Sequence, residues 1–266
     1  MEVEEDQPEL VRKPRPGIYL LPNLFTTGAM FAGFYAIVAA MNGRFVAAAE
    51  AVFIAGLLDG LDGRVARLTN TQSDFGVQYD SLSDLISFGL APALVMYLWS
   101  LSSLAETSEV MGKIGWLAAF LFAACAALRL ARFNTQAESS DKRYFQGLAS
   151  PAAAAGMITP VWVLAAEGVA GAEYNLVMLP ITVALALLMV SNVRYVSFKG
   201  WPNRDKVPFL WILALLGFFV LLAIDPPLVL LCIAYTYAFS GPCMTVLGRK
   251  HRLSLRRRRR GDGEAP

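Results

Sequence analysis

The sequence predicts an all-α membrane protein, a polytopic bundle of about eight transmembrane helices. Hydrophobic residues make up 56% of the 266 residues, and the mean hydropathy is +0.49. A soluble domain usually has about 45–50% apolar residues. The excess lies in long runs with few charges, and a bilayer-crossing helix needs roughly 20 such residues. We therefore expect one membrane domain with short polar ends.

The apolar runs set the expected spans and the organisation of the chain. The spans are expected at about residues 18–40, 45–68, 77–100, 114–133, 149–170, 174–193, 207–224 and 226–247. The last two are separated only by Ile224-Asp225-Pro226-Pro227, and this sequence predicts a tight turn. We expect a cytoplasmic N-terminal segment (1–17), a six-span core (18–200), a C-terminal hairpin (201–248) and a basic cytoplasmic tail (249–266).

The basic residues predict the orientation in the membrane. With eight spans, 21 of the 23 Lys and Arg residues fall on one side, and only Arg44 and Lys113 fall on the other. Positive residues mark the cytoplasmic side, so both termini are expected there, in a prokaryotic cell membrane. The run Arg256–Arg260 is then a topology determinant that lies on anionic headgroups. No nucleic-acid-binding pattern accompanies it.

The residues that usually carry soluble-enzyme chemistry are scarce. Cys125, Cys232 and Cys243 lie in apolar runs without a CxxC pair, which is typical of small buried hydrophobic residues. The single histidine, His251, lies in the basic tail. Any chemistry therefore has to rest on carboxylates.

Four aspartates form the most informative pattern. Asp59 and Asp62 are three residues apart, and Asp80 and Asp84 are four apart, so each pair lies on one helix face. Residues 68–75 are polar enough for a cytoplasmic turn, so two neighbouring helices can present all four carboxylates to one point. Ionisable groups inside a span are costly unless they are paired.

Four clustered carboxylates require positive charge. Oxygen-only ligands suit hard cations, so we expect Mg²⁺ or Mn²⁺, and two ions would fit phosphoryl transfer. Gly63 would let a phosphate approach the backbone, and Arg67 could pair with phosphate. A cation transporter would also explain the carboxylates, but not the Gly, Ala and Arg residues between them.

The complete pattern D-x-x-D-G-x-x-A-R-x8-G-x3-D-x3-D resembles that of the CDP-alcohol phosphatidyltransferases. All eight fixed positions are present: Asp59, Asp62, Gly63, Ala66, Arg67, Gly76, Asp80 and Asp84. The resemblance implies a helical membrane fold, usually a homodimer, whose site opens to the cytoplasm. It also implies that all four aspartates contact metal and that Asp84 is the general base.

The resemblance further implies a CDP-binding region. Its members would be Asn23, Thr26, Gly63, Ala66, Arg67 and Ser73. For Asn23 and Thr26, helix capping or hydrogen bonding between helices is the alternative interpretation.

The acceptor alcohol is indicated outside the aspartate pattern. The segments 83–93, 129–134, 145–153 and 191–199 resemble the phosphatidylserine synthase branch of the family, with Ala149 where that branch usually has proline. This implies transfer of the phosphatidyl group of CDP-diacylglycerol to L-serine. The acceptor-binding candidates are Arg129, Arg132, Asn134 and Ser150.

Charge alone leaves the acceptor open. Arg129 and Arg132 could bind the carboxylate of serine, the phosphate of glycerol 3-phosphate or inositol phosphate, or lipid headgroups. The closest alternative function is therefore a sister enzyme that uses one of those phosphorylated alcohols.

Overall fold

The computed structural model describes residues 20–69, 71, 73–136, 144–196 and 209–261. Over these residues the chain is a bundle of helices, which confirms the predicted fold class. The helices are α1 (Leu20–Met41), α2 (Phe45–Leu68), α3 (Asp74–Asp84), α4 (Ala91–Trp99), α5 (Leu104–Thr107), α6 (Glu109–Gln136), α7 (Ser150–Ala166), α8 (Asn175–Val190), α9 (Phe209–Ile224) and α10 (Pro226–Gly261). The predicted segment 1–17 lies outside the described residues.

Five helical segments are long and apolar enough to cross a membrane. They are Pro22–Met41, Asp74–Trp99, Glu109–Thr135, Gly171–Val190 and Pro226–Thr245. Two shorter apolar helices, Ser150–Ala166 and Leu215–Ile224, accompany them. The 24-residue α2 is not among the five because charged residues, including Asp59 and Asp62, interrupt its apolar run. The chain is therefore a membrane protein.

Helices α1 and α2 pack closely through small side chains. The turn at Gly43, which has a φ of +70°, joins them as an antiparallel pair. Buried alanines line their contact: Ala29, Ala32, Ala36, Ala39, Ala40, Ala48, Ala49, Ala51 and Ala55. Small residues let two helix backbones approach closely inside a membrane. The pair is a rigid support for the residues at the far end of α2.

The third predicted span is a helix in three parts rather than one uniform α-helix. A π-helical turn, Leu85–Leu90, connects α3 to α4. Buried Ser87 in this turn donates a hydrogen bond to the carbonyl of Ala29, with an Oγ–O distance of 3.0 Å. A Cβ at Gly33 would lie 2.8 Å from Ser87, so only glycine lets α1 come this close. The π turn is thereby fixed against α1.

A small two-stranded ribbon departs from the helical expectation. Strands β1 (Tyr144–Gln146) and β2 (Arg194–Val196) pair antiparallel, and they follow α6 and α8 on the same side of the bundle as the aspartates. Gly147 ends β1 with a φ of +81°, and its amide donates to the carbonyl of Val193 at 2.9 Å. A Cβ at Gly147 would lie 2.2 Å from the carbonyl oxygen of Met189, so the close approach requires glycine.

The C-terminal helices form a hairpin with a long second arm. Asp225 joins α9 to α10 and caps α10, because its carboxylate accepts a hydrogen bond from the Leu228 amide at 3.1 Å. Helix α10 then runs without interruption to Gly261, past the position where the sequence predicted a separate tail. It packs against α7 and β2, so it belongs to the bundle.

Candidate active site

Three aspartates meet where the end of α2 faces the beginning of α3. One carboxylate oxygen from each of Asp59, Asp62 and Asp80 lies within 4.8 Å of the other two. Asp62 is 5% exposed, and Asp59 and Asp80 are half-buried. The spacing predicted that the two helix faces would converge, and the structure brings these three side chains together.

Asp84 lies one turn after Asp80 along α3, and its neighbour on α2 is Asp59. Its carboxyl group is close enough to that of Asp59 for a hydrogen bond between them. Asp84 does not belong to the compact group formed by the other three aspartates. Two carboxyl groups at such a separation either share a proton or bind a cation, because two bare carboxylates this close repel each other strongly.

Helix α1 supplies the hydrogen bond that orients Asp62. The Thr26 hydroxyl, which is 4% exposed, donates to Asp62 Oδ2 at 2.7 Å. The Ser83 hydroxyl of α3 donates in turn to the Thr26 carbonyl at 3.0 Å. Thr26 therefore makes the bond between helices that the sequence offered as its alternative role. A connected set of buried hydroxyls ties α1, α2 and α3 together beside the carboxylates.

Open space borders the aspartates on the α2 side. A Cβ built at Gly63 would meet no atom within 4 Å, so nothing in the described protein occupies this position. Arg67 is exposed, and its Nε donates to the Gly63 carbonyl at 2.8 Å. That bond holds the guanidinium along the helix while its terminal nitrogens stay available. This surface is suited to a phosphate-bearing ligand.

The other residues predicted to contact CDP have structural partners of their own. Ser73 is the N-cap of α3 and accepts a hydrogen bond from the Gly76 amide at 3.0 Å. Asn23 Oδ1 would be 3.7 Å from a Cβ at Gly76, so α1 approaches α3 at this point. The carbonyl of Ala66 accepts a bond from the amide of buried Thr71, which shapes the turn between α2 and α3. These contacts lie on α1 and around the turn between α2 and α3, the two helices that carry the aspartates, and CDP contact stays a prediction for these residues.

Arg129 extends from α6 toward the same region. Its Nη1 donates to the hydroxyl of fully buried Ser150, the first residue of α7, at 2.7 Å. Its Nε is buried without a hydrogen-bond partner among the described residues. The guanidinium also interacts electrostatically with Asp84. The structure therefore brings two of the predicted acceptor residues together close to the predicted base.

Arg132 and Asn134 lie at the end of α6 and have different partners. Arg132 Nη2 donates to Gln146 Oε1 of β1 at 2.5 Å and to Asn192 Oδ1 at 3.1 Å. Asn134 donates to the Ser81 hydroxyl at 3.0 Å, next to Asp80 in sequence. Arg132 thus braces the ribbon, and Asn134 connects α6 to α3.

Sequence reasoning did not find one residue near this site. Tyr237, on α10, interacts electrostatically with Arg129. The apolar run around it predicted a packing helix, and no spacing rule connects it to residues about a hundred positions earlier. An open cleft of about 640 Å³, lined by Arg44, Trp99 and Gly171 among others, lies at the opposite end of the bundle and contains none of the predicted site residues.

The donor set fits a hard divalent cation. It consists of carboxylate oxygens, and Asp80 Oδ1 is buried with no hydrogen-bond partner in the part of the chain that the structure describes. Within that part, the one ion pair joins Lys113 to Glu109, at the other end of the bundle, so none of the described basic side chains lies within 4.0 Å of an aspartate of the cluster. The cluster can therefore bind a metal ion.

Comparison with known proteins identifies the family. The family model of the CDP-alcohol phosphatidyltransferases matches residues 19–188, which include every aspartate of the cluster. The chain belongs to this family. It is a membrane enzyme with a carboxylate cluster that could bind a metal ion and with open space beside it along α2.

Several curated relatives carry the name CDP-diacylglycerol–serine O-phosphatidyltransferase. The protein from Helicobacter pylori (strain ATCC 700392 / 26695) is 42% identical over 182 residues, covering 68% of this chain and 74% of the relative. That from Mycobacterium tuberculosis (strain ATCC 25618 / H37Rv) is 37% identical over 158 residues, covering 56% and 52%. That from Bacillus subtilis (strain 168) is 32% identical over 180 residues, covering 67% and 91%.

Proposed function

We propose that this enzyme transfers the phosphatidyl group of CDP-diacylglycerol to the hydroxyl of L-serine, giving phosphatidylserine and CMP. The observation that carries the reaction class is the convergence of the carboxylates of Asp59, Asp62 and Asp80 within 4.8 Å, in a chain of this family. The names of the relatives from distant organisms support serine as the acceptor.

The aspartates would hold the metal. Asp59, Asp62 and Asp80 supply the compact ligand set, and Asp84 completes it from beside Asp59. We propose two ions, Mg²⁺ or Mn²⁺, because four carboxylates in one place need about that much positive charge. When bound, the ions would neutralise charge on the pyrophosphate and on the departing CMP.

The CDP moiety would lie along the open surface of α2. Gly63 leaves room for a phosphate against the backbone, and Arg67 offers its terminal guanidinium nitrogens. We expect Ala66, Asn23 and Ser73 to contact CDP as well, while Thr26 orients Asp62 through its hydrogen bond. The acyl chains would remain in the bilayer beside the bundle.

The acceptor would enter between α3, α6 and α7. Arg129 is held by the hydroxyl of Ser150 and interacts electrostatically with Asp84, and we expect its guanidinium to receive the carboxylate of serine. Arg132 and Asn134 would shape the edge of this pocket through the ribbon and Ser81.

Asp84 would act as the general base. It takes the proton from the serine hydroxyl, whose oxygen attacks the phosphorus that bears the diacylglycerol. The bond from that phosphorus to the CMP oxygen breaks, and CMP departs with the electron pair.

The orientation and assembly are part of the proposal. The distribution of Lys and Arg, 21 against 2, supports a cytoplasmic site and cytoplasmic termini in a prokaryotic cell membrane. A homodimer is what the family resemblance implies. Exposed apolar residues on α1, such as Phe31 and Phe34, face either lipid or a second copy.

An acceptor panel tests the function. Purified enzyme receives CDP-diacylglycerol and Mn²⁺ with L-serine, glycerol 3-phosphate or inositol phosphate in turn, and CMP and the lipid product are measured. We expect CMP and phosphatidylserine with serine alone. CMP release with a phosphorylated alcohol but not with serine would identify a sister enzyme. Ion flux in liposomes without CMP release would indicate the transporter instead.

A further inference from the structure

Helix α1 contacts both of the helices that supply the aspartates. The Thr26 hydroxyl donates to Asp62 of α2 at 2.7 Å, and the Thr26 carbonyl accepts from the Ser83 hydroxyl of α3 at 3.0 Å. Each of these three residues is at most 5% exposed, so water cannot easily replace the bonds. One residue of α1 is therefore the common neighbour of the α2 side and the α3 side of the site.

A second serine makes the same kind of contact one turn further along. The fully buried Ser87 hydroxyl donates to the Ala29 carbonyl at 3.0 Å, and Ala29 lies one turn after Thr26 on α1. Ser83 and Ser87 thus bind two successive turns of one helix backbone. Hydroxyl hydrogen bonds across a helix contact help to hold membrane helices together. One such bond would leave α3 free to pivot, and the second sets both its height and its direction along α1.

Glycine at position 33 makes this contact tight. A Cβ at Gly33 would lie 2.8 Å from both the Cα and the Oγ of Ser87. The Cα is a backbone atom, so no change of side-chain rotamer could relieve the clash. The backbone at Ser87 therefore rests directly on α1.

The π turn Leu85–Leu90 makes an outside support for α3 necessary. It begins directly after Asp84, and it joins residues five apart, as from the Ala91 amide to the Ile86 carbonyl. Pro92, which follows, has no N–H with which to continue an α-helical ladder. The regular ladder that would fix α3 on the buried α4 is thus interrupted. Among the described residues, the hydrogen bonds that α3 and the turn make to other helices with both partners buried go to α1.

We propose that Ser83 and Ser87 are positioning residues for the metal site: their two bonds fix the height of α3 at which Asp80 reaches the aspartates of α2. The result of this placement is the group of three carboxylate oxygens within 4.8 Å of one another. Both serines donate to backbone carbonyls, so they act through the helix rather than as ligands. The inference rests on the proposed function, since it takes the aspartates as the metal ligands.

The test compares Ser87→Ala with Ser100→Ala. Ser100 is also fully buried and donates to a backbone carbonyl, that of Gly171, at 2.8 Å, but at the opposite end of the bundle. Each variant loses one buried hydrogen bond, so the two melting temperatures should fall by similar amounts. Equilibrium binding of Mn²⁺ to the purified protein without substrate separates them. Ser87→Ala should bind Mn²⁺ about three- to tenfold more weakly, the effect of one neutral hydrogen bond, and Ser100→Ala should stay within about twofold of wild type.

A pair of glycine variants tests the same placement with a larger displacement. Gly33→Ala forces the backbone at Ser87 away from α1, so Mn²⁺ affinity should fall further than in Ser87→Ala. Gly112→Ala is the matched control, because a Cβ there would lie 2.9 Å from the Cβ of Ala105, far from the aspartates. It should lower the melting temperature and leave Mn²⁺ affinity within about twofold of wild type.

The Mn²⁺ affinities decide between positioning and general stability. Unchanged affinity in Ser87→Ala, or an equal loss in the two controls, would overturn the proposal; Ser83→Ala provides the same comparison if Ser87→Ala does not fold. Wild-type protein that binds no Mn²⁺ would overturn the proposed metal site and this inference together. The acceptor takes no part in the binding measurement, so an enzyme that uses another alcohol would refute only the proposed acceptor.

Discussion

The hydrogen bond from Thr26 to Asp62 gives the sharpest prediction about the metal site. In a Thr26→Val variant a methyl group replaces the hydroxyl, and the Asp62 carboxylate loses its one described donor from α1. The bond is short, 2.7 Å, and both side chains are at most 5% exposed, so water cannot easily replace it. A buried hydrogen bond to a charged group contributes roughly 1.5–3 kcal/mol.

That energy converts directly into metal affinity. At about 1.4 kcal/mol per factor of ten, the loss corresponds to about 10- to 150-fold weaker metal binding, which overlaps the roughly 10- to 100-fold usual for residues that orient metal ligands. The assay measures CMP release against Mn²⁺ concentration, and a metal-dependent rise in melting temperature gives a readout independent of turnover. We expect the half-saturating Mn²⁺ concentration to rise by that factor in both measurements.

Thr27→Val is the matched control for this experiment. The Thr27 hydroxyl lies 2.7 Å from the Asn23 carbonyl and 2.9 Å from the Tyr79 hydroxyl, and it makes no contact with the aspartates. Its half-saturating Mn²⁺ concentration should stay within about twofold of wild type. If Thr26→Val also left that concentration unchanged, the orienting role assigned to Thr26 would be refuted.

Three further variants test the base, the open surface and the ribbon. Asp84→Asn keeps the shape of the side chain but cannot take a proton, so turnover should fall about 10²- to 10⁴-fold while CDP-diacylglycerol still binds in an equilibrium assay. Near-wild-type turnover would exclude Asp84 as the base. Gly63→Ala adds a methyl group to open space, and alanine favours a helix over glycine by up to about 1 kcal/mol, so the melting temperature should hold or rise. The KM for CDP-diacylglycerol should increase, and an unchanged KM would place the substrate elsewhere. Gly147→Ala should lower the melting temperature in detergent more than Gly43→Ala does. Both glycines have positive φ, which costs an alanine about 1–2 kcal/mol, but only at Gly147 would the new Cβ also lie 2.2 Å from a carbonyl oxygen. Equal losses would contradict the close packing of the ribbon.

The aspartate cluster was predictable because helix periodicity acts over short distances. A short turn joins the helix of Asp59 and Asp62 to the helix of Asp80, so the spacing of these residues was enough to predict that they converge. Ser73 carried an ordinary N-cap pattern, a serine just before a helix, but the family resemblance directed attention to ligand binding instead. Local rules therefore predicted the aspartate cluster, and the same rules contain the N-cap role of Ser73, which was not predicted.

The remaining features depend on contacts between distant segments. The π turn after Asp84 has no periodic pattern that separates it from an α-helix, and it became visible only through its packing on α1. The ribbon joins segments about fifty residues apart, and Tyr237 meets Arg129 from the other end of the chain. Such pairings follow from tertiary packing, which a single sequence does not encode locally.

The charged end of α2 has a consequence for how the protein is made. Aspartates in a membrane helix cost up to about 2.5–3.5 kcal/mol each during insertion, and α2 carries two of them. Helix α1 packs along α2 through alanines and donates the Thr26 hydrogen bond to Asp62. We therefore expect α1 and α2 to leave the insertion machinery as a hairpin, so that Asp59 and Asp62 enter the bilayer already accompanied by α1.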